Sequence, residues 1–212
     1  MRSILVVNPK GGCGKTTIAT NLASYYAVWG VETALVDFDP QKSSSEWLGA
    51  RPANVEAIHR VSGGGGHVSL PRGVRRAVYD APARTNMPRV IDLIHKSDVV
   101  VIPVLPSAID IRAAAHFIGD LMLKSRLRQS KRLVGVVANR VRENTIVYHQ
   151  LEKFLKSLDI PFVTTLRDTQ NYIRAAERGI GIFEMAPSMV EQDLKQWRPL
   201  INWIEGKSVR TR

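Results

Sequence analysis

Asn8-Pro9-Lys10-Gly11-Gly12-Cys13-Gly14-Lys15-Thr16-Thr17 stands between an apolar run, Ile4-Leu5-Val6-Val7, and a stretch of helical spacing that opens Ile18-Ala19-Thr20-Asn21-Leu22-Ala23. A glycine-rich turn between a strand and a helix is the architecture of a phosphate-binding loop. Gly11, Gly12 and Gly14 let the backbone fold tightly, so that successive N–H groups point at one anion at the positive end of the following helix. Lys15 is placed to reach the β- and γ-phosphates, and the Thr16 hydroxyl to coordinate Mg2+. A bare glycine turn would leave two solvated lysines, but here the strand and the helix both stand where the chemistry needs them.

The rest of the chain repeats the same alternation. Apolar runs of strand type recur at 4–7, 33–36, 77–79, 99–104, 133–138 and 162–166. Helical patterns fall at 16–29, 43–48, 88–96, 109–127, 146–158, 169–178 and 188–205, the last with Pro199 as an internal irregularity. Strand then helix, repeated, predicts an α/β fold: a mostly parallel twisted sheet with helices on both faces. Gly63-Gly64-Gly65-Gly66 before His67 reads as a mobile surface loop. No internal repeat or change of composition marks a boundary, so residues 1–212 are expected to form a single domain, with 206–212 as a basic tail.

Composition narrows the partners. Of 212 residues, 30 are Lys or Arg and 19 are Asp or Glu, a formal charge of +11 that points to a polyanion, either nucleic acid or an anionic membrane surface. Cys13 is the sole cysteine, which excludes an internal disulfide and a cysteine cluster for zinc or iron–sulfur, and fits a reduced, cytoplasmic compartment. The five histidines show no metal-ligand spacing. No apolar run approaches the ~20 residues needed to span a bilayer.

The ordinary phosphate loop carries a glycine where Pro9 stands, and this loop holds a second lysine, Lys10. The run from Lys10 to Thr16 resembles the deviant Walker A box of the ParA/MinD family, the signature-lysine ATPases of bacteria. The resemblance implies an ATP-dependent homodimer in which Lys10 touches the phosphates held by the partner subunit. It implies ATP/ADP contacts from Lys10, Gly11, Gly12, Cys13, Gly14, Lys15, Thr16 and Thr17. Two carboxylates at alternate positions of Val36-Asp37-Phe38-Asp39-Pro40-Gln41 point the same way from an extended chain, or else serve only as a helix cap. This segment is similar to the family's Asp-x-Asp-Pro-Gln box, which implies that Asp39 orients the attacking water and Asp37 supports the magnesium shell. Val78-Tyr79-Asp80-Ala81-Pro82 resembles the Walker B strand, with Asp80 binding Mg2+ through water. Asn139 closes another strand, where a side-chain amide can pair with the adenine edge or simply form a turn. Catalysis would then rest on Lys10, Lys15 and Asp39, with Thr16, Asp37 and Asp80 as the metal set. Cys13 reads as a small filler of the loop. Later segments, Ser97–Ser107 by position and Arg174-Ala175-Ala176-Glu177-Arg178-Gly179, extend the resemblance from residue 2 to about residue 190.

Two groups of cations could neutralise phosphates without reading bases: Lys124, Arg126, Arg128, Lys131 and Arg132, and Lys195, Arg198, Lys207, Arg210 and Arg212. Joined across an ATP dimer, they would form one face for nonspecific double-stranded DNA. The leading expectation is a short ParA-type partition ATPase without an N-terminal helix-turn-helix domain, cytoplasmic and nucleoid-associated. A ParB-like or other cargo adaptor would stimulate its slow hydrolysis, and the ATP form would be a dimer or a higher-order assembly of dimers. The cargo could be a plasmid, ranked first, a chromosome or a protein body. A MinD-like membrane ATPase ranks second, on the apolar stripe Met189, Val190, Leu194, Trp197, Leu200, Ile201 and Ile204, which equally reads as a core face.

Overall fold

A computed structural model describes residues 1–64, 68–124 and 132–207. Seven strands form one sheet: β1 (Arg2–Val6), β2 (Thr33–Asp37), β3 (His59–Ser62), β4 (Arg76–Asp80), β5 (Val99–Val104), β6 (Leu133–Val141) and β7 (Phe162–Arg167). Their order is β3-β2-β4-β1-β5-β6-β7, and every pairing is parallel. Helices α3 (Met87–His95), α4 (Ala108–Lys124) and α5 (Ile146–Lys156) pack on one face with Leu5, Tyr79, Val100 and Val136. Helices α1 (Lys15–Val28), α2 (Ser43–Gly49), α6 (Gln170–Glu177) and α7 (Pro187–Ile204) pack on the other with Ile4, Val6, Val78 and Val101. Burial on both faces is why the strands read as unbroken apolar runs and not as alternating ones.

Most elements lie within a residue or two of their predicted bounds. Strand β3 is the exception, with no counterpart among the predicted strands. His59-Arg60-Val61-Ser62 lies at the edge, pairs only with β2 and is never fully buried, so it carries too little apolar signal. Gly63 also departs from the surface-loop expectation. It is buried, its N–H donates to Asp37 O at 2.7 Å, and a side chain there would collide with the Phe38 ring. Gly65, Gly66 and His67 lie outside the described residues, as do 125–127, the expected end of α4.

Helix α7 runs through Pro199 without a break. Its stripe is a core face: Val190, Trp197, Leu200, Ile201 and Ile204 are buried against the sheet, and Met189 alone of the stripe is exposed. No helix among the described residues is long and apolar enough to cross a membrane. The carboxyl end of α7 returns to the amino end of β4, where Glu205 pairs with Arg76 at 2.7 Å and accepts from the Tyr26 hydroxyl at 2.7 Å.

Trp197 is wholly buried in this layer and donates its indole N–H to the Tyr172 hydroxyl at 2.9 Å. Trp197→Ala is expected to cost about 3–5 kcal/mol in urea unfolding, and Trp197→Phe clearly less. Equal, small losses for both would mean that α7 contributes little to the core.

Candidate nucleotide-binding site

The loop between β1 and α1 sits at the centre of the sheet, flanked by β4 and β5. This is the crevice outside the carboxyl ends of the strands where open α/β sheets place ligands. Gly14 is the residue before α1, with φ 89° and no side-chain cap on the helix amides. A side chain on Gly14 would strike the Asn139 amide, so this position needs glycine for its backbone angle and for its contact. The first-turn N–H groups of α1 are thus left to an anion.

Lys15 is buried and bends back over its own loop, donating to Lys10 O at 3.1 Å. The Thr16 hydroxyl donates to Asp80 Oδ2 at 2.8 Å. Asp80 is 1% exposed, and its other oxygen, Oδ1, has no hydrogen-bond partner. Burial raises its pKa to about 7; the Thr16 hydroxyl opposes the shift and the Asp37 charge adds to it. Ser44 lies near enough to temper that charge, yet its buried hydroxyl also lacks a partner in full hydrogen-bond geometry. A buried carboxylate oxygen without a donor, next to a threonine hydroxyl, fits a small hard cation with oxygen ligands. The residues present therefore fit Mg2+, with Thr16 and Asp80 as the pair that can hold it.

Asp37 and Asp39 do not act as a matched pair. Asp37 ends β2, is buried, and accepts from Asp39 N–H at 3.0 Å and Ser45 N–H at 2.9 Å. Both of its oxygens are thereby engaged with backbone, the second at the start of α2, as a helix cap would be. Asp39 lies beyond the strand and is only partly buried, with Oδ2 accepting from Ala83 N–H at 3.2 Å and Oδ1 from Gln41 N–H at 2.9 Å.

Lys10 forms an ion pair with Asp110 Oδ1 at 2.9 Å. Asp110 is itself held by the Ser107 hydroxyl, and its N–H donates to Ser107 Oγ at 3.0 Å. Sequence reading missed Asp110; the signal was the Ser-x-x-Asp spacing at the start of α4, the mark of a helix cap. Asn139 is buried and donates to Cys13 O at 2.8 Å, so its amide braces the loop from the β6 side. Beside it a cleft of about 420 Å³ is lined by Thr17, Arg140, Thr169 and Tyr172. Cys13 is buried, its thiol donates to Lys10 O at 3.3 Å, and burial pushes its pKa up against the pull of Lys15, as suits a filler.

The basic residues lie elsewhere. Lys124, Arg132 and Lys207 gather at the amino end of the sheet, opposite the loop, where α4 and α7 end and β6 begins. Arg132 donates to the Ser97 and His95 carbonyls, and Lys124 pairs with Asp120 at 3.4 Å. Lys195 and Arg198 are exposed on α7, with Lys195 paired to Glu191. Arg126, Arg128, Lys131, Arg210 and Arg212 lie outside the described residues.

Residues 4–182 match the model of the CobQ/CobB/MinD/ParA nucleotide binding domain. The chain is 28% identical over 193 residues to maintenance of carboxysome distribution protein A from Halothiobacillus neapolitanus, covering 86% of this chain and 87% of that protein. It is 27% identical over 191 residues to the chromosome-partitioning ATPase Soj of Thermus thermophilus, covering 74% and 76%. Its fold superposes on the MinC:MinD cell division protein complex of Aquifex aeolicus with a TM-score of 0.73 at 17% identity, over 100% of this chain and 98% of that one. The chain belongs to the CobQ/CobB/MinD/ParA nucleotide-binding family, within its ParA/MinD branch.

Asp80 keeps its proton in the fold up to about pH 7, whereas the unfolded chain releases it near the ordinary carboxylate value. The folded state then binds more protons over that interval, so stability falls as pH rises through it and levels off above about 7. Asp80→Asn is expected to remove this fall and to stabilise the ligand-free protein at neutral pH by about 1–3 kcal/mol. Urea unfolding across pH 4.5–8 checks it, on the order of half a unit per step. An unaltered pH slope in the variant would assign the titration to another group.

Proposed function

We propose that this chain is a Mg2+-dependent ATPase whose nucleotide state governs its self-association, and that it partitions or positions a cellular cargo. The observation that carries the reading is the buried, unpartnered Asp80 Oδ1 beside the Thr16 hydroxyl, at the foot of a loop whose helix amides await an anion. Mg2+ held there would neutralise charge on the phosphates. Lys15 would exchange its bond to the Lys10 carbonyl for phosphate oxygens. Asp39, partly open to solvent at the rim, would orient the attacking water. The base would enter the cleft beside Asn139, next to Thr17 and Tyr172.

Lys10 supports a switch. Its ammonium is about one-third exposed and held by one carboxylate, Asp110, so leaving that pair for a partner subunit's phosphate exchanges one anion for another. ATP would thus favour a homodimer, alone or as the unit of a larger assembly. Closing it would double the basic surface at the amino end of the sheet and make contact with nonspecific double-stranded DNA dependent on nucleotide. Release would follow hydrolysis, hastened by a ParB-like or other adaptor bound to the cargo. The similarity to a carboxysome-distribution protein and to Soj supports a protein body or a DNA molecule as that cargo. With the α7 stripe lying in the core, membrane anchoring has no apolar face left to it on that helix.

Gel-shift binding to random-sequence duplex DNA with ATP, with ADP and without nucleotide tests the reading. Binding is expected only with ATP, and to weaken by about 10³–10⁵ between roughly 50 and 200 mM salt. Lys10→Ala is expected to bind ATP yet stay monomeric in size-exclusion light scattering; normal ATP-dependent dimers would remove the cross-subunit role. Asp39→Ala is expected to retain dimers while losing turnover, and an undiminished phosphate-release rate would rule out its work on water.

A further inference from the structure

Among the described residues, three that are not glycine hold a left-handed backbone: Lys42 (φ 55°), Arg84 (φ 54°) and Arg140 (φ 51°). All three are exposed cations on the carboxyl side of the sheet: Lys42 and Arg84 in the segments that follow β2 and β4, Arg140 at the end of β6, just before Val141. Glycine takes this backbone region freely, whereas a side chain there costs on the order of 1 kcal/mol. Strain kept at the rim of a ligand crevice points to a side chain with work of its own.

Arg84 is the most firmly placed of the three relative to the phosphate loop. Its N–H donates to Pro9 O at 2.8 Å, and the preceding N–H, of Ala83, donates to Asp39 Oδ2 at 3.2 Å. The Ala83 methyl lies 4.0 Å from where a Cβ on Gly11 would stand. Two successive amides thus pin this segment to the lip of the loop and to the carboxylate beyond β2. Asn86 secures its far side by accepting from Arg89 N–H at 3.0 Å as the cap of α3. Lys10 and Arg51, by contrast, are engaged with Asp110 and Glu184. The Arg84 guanidinium has no hydrogen bond or ion pair among the described residues.

Position selects the ligand group. The cleft beside Asn139 lies on the β6 and β7 side of β1, whereas Arg84 follows β4 on the opposite flank. It therefore stands at the end of the loop remote from that cleft, next to Asp39. We infer that Arg84 is a phosphate-binding residue, adding a positive charge to the terminal phosphate of a nucleoside triphosphate held in its own subunit. This rests on the ATP reading above. A guanidinium suits the role because its fixed fork matches phosphate oxygens and its charge does not titrate.

The test is calorimetric binding of Mg2+ with a non-hydrolysable ATP analogue, and of Mg2+ with ADP, to the wild-type chain and to Arg84→Gly, Arg84→Ala and Arg84→Lys. Arg84→Gly relieves the strain while removing the charge, so its unfolding midpoint, expected equal to or above wild type, reports that the loop is intact. The Gly and Ala variants are expected to bind the ATP analogue about tenfold more weakly, with ADP affinity unchanged, and the Lys variant to lie between. Wild-type affinity for both nucleotides in Arg84→Gly would overturn the inference, leaving the arginine as an exposed turn residue. Equal weakening for ATP analogue and ADP would also overturn it, since the effect would then be on the loop and not on the terminal phosphate. Wild-type protein binding neither nucleotide would instead defeat the ATP reading, independently of Arg84.

Discussion

The contact between the Thr16 hydroxyl and Asp80 Oδ2 is the constraint on which the rest of the site depends. It ties the first turn of α1 to the end of β4 and leaves the second Asp80 oxygen buried without a donor. Such an oxygen is costly in an apolar fold unless a cation or a proton satisfies it. The ligand-free chain meets the cost by holding a proton more tightly, which is the sense of the raised pKa. Folding energy and cation affinity would therefore be linked at one carboxylate: the buried oxygen that costs stability is the one that a cation would satisfy.

The surrounding network keeps the other charged groups of the crevice in place with very few atoms. Lys15 rests on the Lys10 carbonyl, Lys10 on Asp110, Asp39 on the amides of Ala83 and Gln41, and Asn139 on the Cys13 carbonyl. These contacts come from the loops after β1, β2 and β4, from the carboxyl end of β6 and from the start of α4. Lys15, Lys10, Asp39 and Asn139 each have an internal substitute, so at these groups entry of phosphate would exchange partners and not strip charges bare. An exchange of partners has a smaller net free energy than the making of a bond from nothing, which is the property the proposed switch would use.

Position in the fold also separates the two polyanions that the charge of this chain could meet. The phosphate loop opens at the carboxyl end of the sheet, whereas Lys124, Arg132 and Lys207 lie at the amino end. Across a sheet of strands four to nine residues long, direct electrostatic coupling between the two is largely screened. Under the proposed reading, nucleotide state would reach the basic end through a change of assembly or of rigid elements, such as α4, which carries Asp110 in its first turn and ends at Lys124.

Local chemistry made much of this legible in the sequence. The loop, the alternation of strands and helices, and the carboxylates at strand ends are written in neighbouring residues: glycines for a tight turn, apolar runs for strands buried on both faces, prolines and glycines where elements stop. Strand β3 escaped because an edge strand needs little apolar burial, and Gly63 because its packing under Phe38 is a contact between segments. Only the tertiary structure decided that Asp37 serves backbone amides while Asp39 lies at the rim, that Lys10 is held by Asp110 a hundred residues away, and that Arg84 is bent at the lip of the loop. The physical reason is range. Turn chemistry and periodicity act between neighbours, whereas the partner of a charge is settled by which strand ends the sheet order brings together.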